Sequence, residues 1–325
     1  VGKTSVLKVA LNELDPPYVY LDLRMLEEDY SKIAFYRLLS EAFSATVFRW
    51  SKIIDYLKTL KRIEAYGFKI EFNWREESLT LIRILNKLNQ FAEKDKERSI
   101  IVLSFDEAQV LRNLSGGKGK INFIEILAYA YDNLYNLRFV FTGSEVGLLM
   151  NTLKLDNASS PLYGRFVKMI KLERFDDKKS LNFLIKGFEE FNMRVGEEIL
   201  YKIYEKVDGI VEWSTYFGCS IVESRKPNVE ALNQTTEKAL KLVEEEFDKV
   251  LKRPKYYAYV LKAISLGIDT WLGIKKALKA WLSRPLQNAQ ISRFLKTLLD
   301  LSILEKKNKH YVISDSLVVE YSKKL

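Results

Sequence analysis

Ile100-Ile101-Val102-Leu103-Ser104-Phe105-Asp106-Glu107 is the stretch on which the architecture turns. A continuous apolar run of this length suits a strand buried on both faces of a parallel sheet, and this one stops on two adjacent carboxylates. Leu137-Arg138-Phe139-Val140-Phe141 repeats the pattern and runs into the small polar residues Thr142-Gly143-Ser144-Glu145. Upstream, residues 18–23 are dense in aromatic and aliphatic side chains and predict a short strand. Between these strands the apolar period lengthens to that of helices. Val6, Leu7, Val9, Ala10 and Leu14 predict a helix up to the Asp15-Pro16-Pro17 break. Residues 30–65 predict a long helical region, and 76–93 a helix through Leu79, Ile82, Leu85 and Leu88. Residues 67–73 alternate like a strand or hairpin arm, with Phe68, Ile70 and Phe72 on one face. Residues 113–120 predict a flexible loop, 123–134 a helix and 166–172 a further strand. Strands alternating with helices predict an α/β fold built on a parallel sheet.

After residue 172 the strand signal stops. Residues 176–218 predict several amphipathic helices and 228–251 a longer one. Helices at 256–266, 271–282 and 288–301 are followed by two short strand-like arms around a basic turn, 304–313. Three helices and a hairpin are the order of a winged helix. The 325 residues suggest two or three domains, with expected bounds of 1–172, 173–250 and 251–325. No apolar run approaches the length that crosses a bilayer, and no targeting segment is evident, so a soluble, cytoplasmic chain without membrane contact is expected. The single cysteine, Cys219, and single histidine, His310, exclude an internal disulfide and a Cys/His zinc site. Net charge is uneven. Residues 249–325 carry 16 Lys and Arg against 5 Asp and Glu, leaving 36 against 38 in the remainder. Such a basic end is the footprint of a polyanion partner, or else a lysine-rich solvated surface.

The chain opens on Val1-Gly2-Lys3-Thr4-Ser5, followed by the first amphipathic helix. This fits the second half of the phosphate-binding loop G-x-x-x-x-G-K-[ST], whose first glycine would lie four residues before Val1. In such a loop backbone amides surround phosphates at a helix N-terminus, the lysine neutralises β- and γ-oxygens, and the Ser/Thr hydroxyl ligates Mg²⁺. A Gly-Lys-Thr triplet alone is a weak signal. It gains force from Asp106 and Glu107, since an Asp at the carboxyl end of a buried strand can hold Mg²⁺ while the next Glu orients water toward the γ-phosphate. The polar end of the 137–141 strand suits sensing of that phosphate. A nucleotide triphosphatase is expected.

These residues, in this order, resemble the archaeal ATPase family of the AAA+ and STAND branch of P-loop proteins. The resemblance rests on Gly2-Lys3-Thr4-Ser5, Tyr18-Val19-Tyr20-Leu21-Asp22-Leu23-Arg24, Phe105-Asp106-Glu107-Ala108-Gln109 and Tyr129-Ala130-Tyr131-Asp132. It extends through Thr142-Gly143-Ser144-Glu145-Val146-Gly147-Leu148-Leu149, Ser160-Pro161-Leu162-Tyr163-Gly164-Arg165, Asp208-Gly209-Ile210 and Trp213. It implies an ATPase core, a helical lid and a C-terminal winged helix. By it Gly2, Lys3, Thr4 and Ser5 belong to the phosphate loop, Thr4 and Asp106 hold Mg²⁺, and Glu107 positions the attacking water. Ser144 takes the sensor position. Arg165 is either an arginine finger or a structural arginine. The family's lid usually reads Gly-Ile-Pro-Gly-Trp; this chain has Gly209-Ile210-Val211-Glu212-Trp213, which puts adenine-side contacts or lid coupling in question.

In a winged helix the third helix can enter the DNA major groove while the wing touches backbone. Ile291, Phe294, Leu295, Leu298 and Leu299 form a core stripe on the third helix, leaving Gln290, Arg293, Lys296 and Thr297 outside it. The wing offers Lys306, Lys307, Lys309 and His310 for phosphate contacts. The alternative is a packing or self-association module. Two functions follow: an ATP-binding and hydrolysing switch whose winged helix contacts double-stranded DNA, or a STAND-like scaffold that holds ATP or ADP, hydrolyses slowly and signals through protein partners.

Overall fold

The computed structural model describes every residue except 1, 28, 47–62, 67–68, 73–79, 95–99, 115–120, 251–253 and 283–285. The chain divides into two compact units, the first Lys3–Met169 and the second Val1–Gly2 with Ile170–Leu325.

The first unit is organised by a parallel sheet of β1 (Tyr18–Asp22), β4 (Ile101–Asp106) and β5 (Leu137–Phe141), with β4 in the middle. Its register runs Tyr18↔Val102 to Asp22↔Asp106 on one side and Ile101↔Leu137 to Phe105↔Phe141 on the other. Buried parallel strands need cover on both faces. Helices α1 (Lys3–Leu14), α2 (Lys32–Thr46), α3 (Leu81–Lys94) and α5 (Phe123–Asn133) contribute buried side chains, as does the single turn α4 (Leu111–Leu114). Helix α3 shows why it lies where it does: Leu81, Ile84, Leu85, Leu88 and Ala92 are buried, one stripe at helical spacing. Phe105 sits at the core's centre, edge-on to Phe123 at 5.5 Å and stacked on Phe141 at 5.4 Å between ring centroids.

Two readings of the sequence are corrected here. Residues 30–65 are not one helical region: α2 ends at Thr46, residues 47–62 lie outside the described part, and β2 (Ile63–Tyr66) pairs antiparallel with β3 (Lys69–Phe72). A strand partner a few residues on overrides the helical pattern, as strand preference depends on context. Residues 166–172 form no strand. A strand exists only where its amides and carbonyls find a ladder, and none of the described strands pairs with this segment; Phe166, Met169 and Ile170 stand exposed. Helix α6 (Val146–Leu153) was not foreseen.

The second unit is helical, with α7 (Asp177–Glu190), α8 (Glu197–Val207), α9 (Val211–Ser224), α10 (Val229–Val250), α11 (Pro254–Ser265), α12 (Trp271–Trp281) and α13 (Asn288–Asp300). The hairpin β6 (Leu304–Lys307) and β7 (His310–Ile313) follows, with Leu304↔Ile313 as its inner pair, and then α14 (Ser316–Lys324). Helix α14, also unforeseen, begins at Asp315, whose carboxylate caps the Leu317 amide at 2.8 Å. A single hydrophobic cluster runs from Leu184 to Val318, so the segments expected as lid and terminal module share one core. The departing residues of the lid motif open α9. Val211 takes the first helical position, where a proline would also fit, and Glu212 lies in the first turn, where an acid suits the helix dipole.

Gly209 precedes that helix with φ 69°, and a Cβ added to it would fall 1.9 Å from the Phe175 carbonyl oxygen. The Phe175 amide in turn donates to the Gly209 carbonyl at 2.9 Å. Gly209→Ala is therefore expected to destabilise the second unit by more than the roughly 1–3 kcal/mol of a strained left-handed residue, read as a lower urea midpoint.

Candidate active site

Parallel register brings the carboxyl ends of β1 and β4 level, so Asp22 and Asp106 lie side by side, and Thr142 follows directly on β5. Asp106 is fully buried. A buried carboxylate is tolerated only when its oxygens are bonded, and three elements supply the donors. From the first turn of α1, Thr4 donates its hydroxyl to Oδ2 at 2.7 Å; from β1, Tyr20 donates to the same oxygen at 2.7 Å. Thr142 donates to Oδ1. Burial pushes the Asp106 carboxyl up, but the three hydroxyls outweigh it and hold the group below the ordinary carboxylate range. Burial and then the bond to Asp106 push the Tyr20 phenol well above its ordinary value, so it remains a neutral donor. Beside them Arg24 forks onto Asp22, with Nε 2.9 Å from Oδ1 and Nη2 2.6 Å from Oδ2, and this bonding lowers the Asp22 carboxyl.

Glu107 turns away from this cluster. Its backbone is left-handed, with φ 54°, and the chain continues as a tight turn over Ala108–Val110. The Ala108 amide donates to the Thr142 carbonyl at 2.8 Å and the Thr142 amide to the Phe105 carbonyl at 3.0 Å, clamping the ends of β4 and β5. The Glu107 oxygen Oε2 accepts from the Ser144 hydroxyl at 2.8 Å and from Gln109 Nε2 at 2.5 Å.

The structure thus brings Thr4 onto Asp106 and Ser144 onto Glu107. Gly2, with φ 74°, leads into α1, where Lys3 is half-buried and Ser5 exposed. Arg165 has other partners: it grips Asp132, the last acid of α5, at 3.0 Å and 2.5 Å, donates to the Pro161 carbonyl, and lies over the Tyr131 ring. Arg293 and Lys296 on α13, and Lys306, Lys307 and Lys309 on the hairpin, are exposed. Reading the sequence did not single out Tyr20, Thr142 or Gln109, although all three lie inside the segments that carried the resemblance. Among the described residues there is no group of three or more His, Cys, Asp or Glu placed to hold a metal ion.

Residues 1–213 match the family described as an ATPase domain predominantly from Archaea. The chain belongs to this family. A Walker-type ATPase of Pyrococcus abyssi superposes on this archaeal ATPase with a TM-score of 0.79 at 29% identity, over 99% of this chain and 88% of that one. The ORC2 protein of Aeropyrum pernix, solved as ADPNP–ADP complexes, gives a TM-score of 0.53 at 11% identity over 100% of this chain and 84% of the other; at that identity the likeness is one of fold. No curated protein matches in sequence. The archaeal ATPase is a nucleotide-binding ATPase of Walker type with a P-loop, AAA+-like core. No helix among its described residues is long and apolar enough to cross a membrane.

Because Asp106 is lowered in the folded state, its stabilising contribution is complete above the unfolded value and lost as pH falls through the folded one. Urea midpoints of wild type and Asp106→Asn should therefore differ by a constant gap down to about pH 4, the ordinary Asp range, and converge below it.

Proposed function

We propose that this archaeal ATPase is an ATP-hydrolysing switch whose terminal module, a winged helix, contacts double-stranded DNA. The observation that carries the hydrolytic half is the pairing of Thr4, in the first turn of α1, with Asp106, and of Ser144 with Glu107 beyond the neighbouring ends of β5 and β4. The Thr4 hydroxyl and the Asp106 carboxylate, 2.7 Å apart, are the hard oxygen donors that suit Mg²⁺, and these two residues would hold it. When bound, the ion supplies positive charge to the β- and γ-phosphate oxygens.

The chain's own residues do the rest. Lys3, at the start of α1, neutralises phosphate oxygens beside the helix N-terminus. Asp106 stays ionised because three hydroxyls donate to it, and Tyr20 and Thr142 fix its orientation. Glu107 orients water for attack on the γ-phosphate. Ser144 answers to the presence of that phosphate and, bonded to Glu107, passes the signal on. Arg165 stabilises charge in the transition state if it leaves Asp132. Support for DNA binding comes from the order α11–α13 then β6–β7, and from the exposed cations Arg293, Lys296, Lys306, Lys307 and Lys309. The net of +11 over residues 249–325 adds to it.

ATP turnover by the full-length protein, with and without duplex DNA, tests the reading. Glu107→Gln should lower kcat by about 10²–10⁴-fold, and equal rates would remove Glu107 from its role. Nucleotide binding without multiple turnover in wild type would favour the slow scaffold suggested by Val211 and Glu212. For DNA, replacing Lys306, Lys307 and Lys309 by Ala should weaken binding and flatten the log–log salt slope by about 0.9 for each phosphate no longer neutralised; an unchanged slope would remove the hairpin from the interface.

A further inference from the structure

Gln109 is buried, with 6% of its surface exposed, an unusual place for an amide beside a site open to nucleotide. Its Nε2 donates to Glu107 Oε2 at 2.5 Å and lies 3.3 Å from the Ser144 hydroxyl, so one amide touches both the water-orienting acid and the sensor. Among the described residues its Oε1 is buried without a hydrogen-bond partner, which costs on the order of 1–3 kcal/mol. Turning the amide over would set that oxygen against the Glu107 carboxylate. The observed orientation is therefore selected by the charge-assisted bond to Glu107, and the orphaned oxygen is its by-product.

Gly143 makes this approach possible. A Cβ there would stand 2.6 Å from Gln109 Oε1 and 3.3 Å from Leu149 Cδ2. Gly143 is not among the glycines with positive φ, so its backbone makes no demand for glycine; what the site uses is its missing side chain.

We infer that Gln109 is a positioning residue that aims Glu107, and that Gly143 is the gap that admits its amide. This rests on the hydrolytic role proposed for Glu107. Both side-chain donors fall on Oε2, which fixes the plane of the carboxylate and presents Oε1 to water. Because Ser144 shares the network, any movement of its hydroxyl toward a phosphate leaves Gln109 as the side chain holding Glu107 in place.

The test uses full-length protein and four variants: Gln109→Met, close in size and without a donor; Gln109→Leu, shorter and also without one; Gly143→Ala; and Gln109→Met with Gly143→Ala. Binding of a fluorescent ATP analogue and steady-state kcat are measured for each, with Glu107→Gln as reference. Either Gln109 variant should lose about 10–100-fold in kcat, the usual loss for a residue that orients a reactive ligand, with analogue affinity unchanged. Gly143→Ala should lose a similar factor in the wild-type background and nothing further beside Gln109→Met, since both act through one interaction. If Gln109→Met and Gln109→Leu turn over at the wild-type rate while Glu107→Gln is slow, the inference falls and the hydrolytic reading stands. If Glu107→Gln is as fast as wild type, both fall. An equal, additional loss from Gly143→Ala in the Gln109→Met background overturns the role given to Gly143.

Discussion

A fully buried carboxylate at the end of the central strand is the constraint on which the first unit depends. Taking an ionised group out of water costs several kcal/mol unless its oxygens are bonded. Asp106 meets that cost with one hydroxyl from α1, one from β1 and one from the residue after β5. The three donors are far apart in sequence and meet only if the strands are parallel, in this register, and α1 packs with its first turn at the strand ends. A slip of one residue would turn Tyr20 and Asp106 to opposite faces. The requirements of the site and of the sheet are the same requirement.

The consequences spread outward from that point. Ending β4 on a buried Asp leaves the next residue to escape the sheet, and Glu107 does so through a left-handed backbone that a non-glycine residue adopts only at a cost. The amide exchanges between Ala108, Thr142 and Phe105 hold it there. Two adjacent acids thereby acquire opposite environments. Asp106 is dry, triply bonded and below its ordinary range, whereas Glu107 is partly open to solvent and bonded through one oxygen. Under the proposed function, that difference would let one pair of carboxylates serve both a cation and a water.

Much of this was legible in the sequence, and the exceptions share a cause. Strands β4 and β5 could be read because strands buried on both faces are written as unbroken apolar runs, and the grouping of Thr4 with Asp106 and of Ser144 with Glu107 because each follows from where strands and helices begin and end. Tyr20 read as packing, since nothing local tells an aromatic ring's polar tip that an aspartate lies on the neighbouring strand. Gln109 and Gly143 matter through a close approach that only folding creates. Residues 166–172 carry a strand's composition and residues 63–65 sat inside a helical pattern; in both, the presence or lack of a pairing partner decided the outcome, not local preference. Helix α14 was missed because nine residues offer too short a period to read, while its partners Lys206 and Phe247 come from elsewhere in the chain.

The continuous apolar cluster of the second unit bears on how that unit would yield. Leu184 of α7, Ile203 of α8, Phe217 of α9 and Leu304 of the hairpin belong to one cluster, and Arg174 bonds both Asp208 and the Ser314 carbonyl. Segments that share buried area open together rather than in turn. Amide protons in α8 and in β7 should thus share one opening free energy.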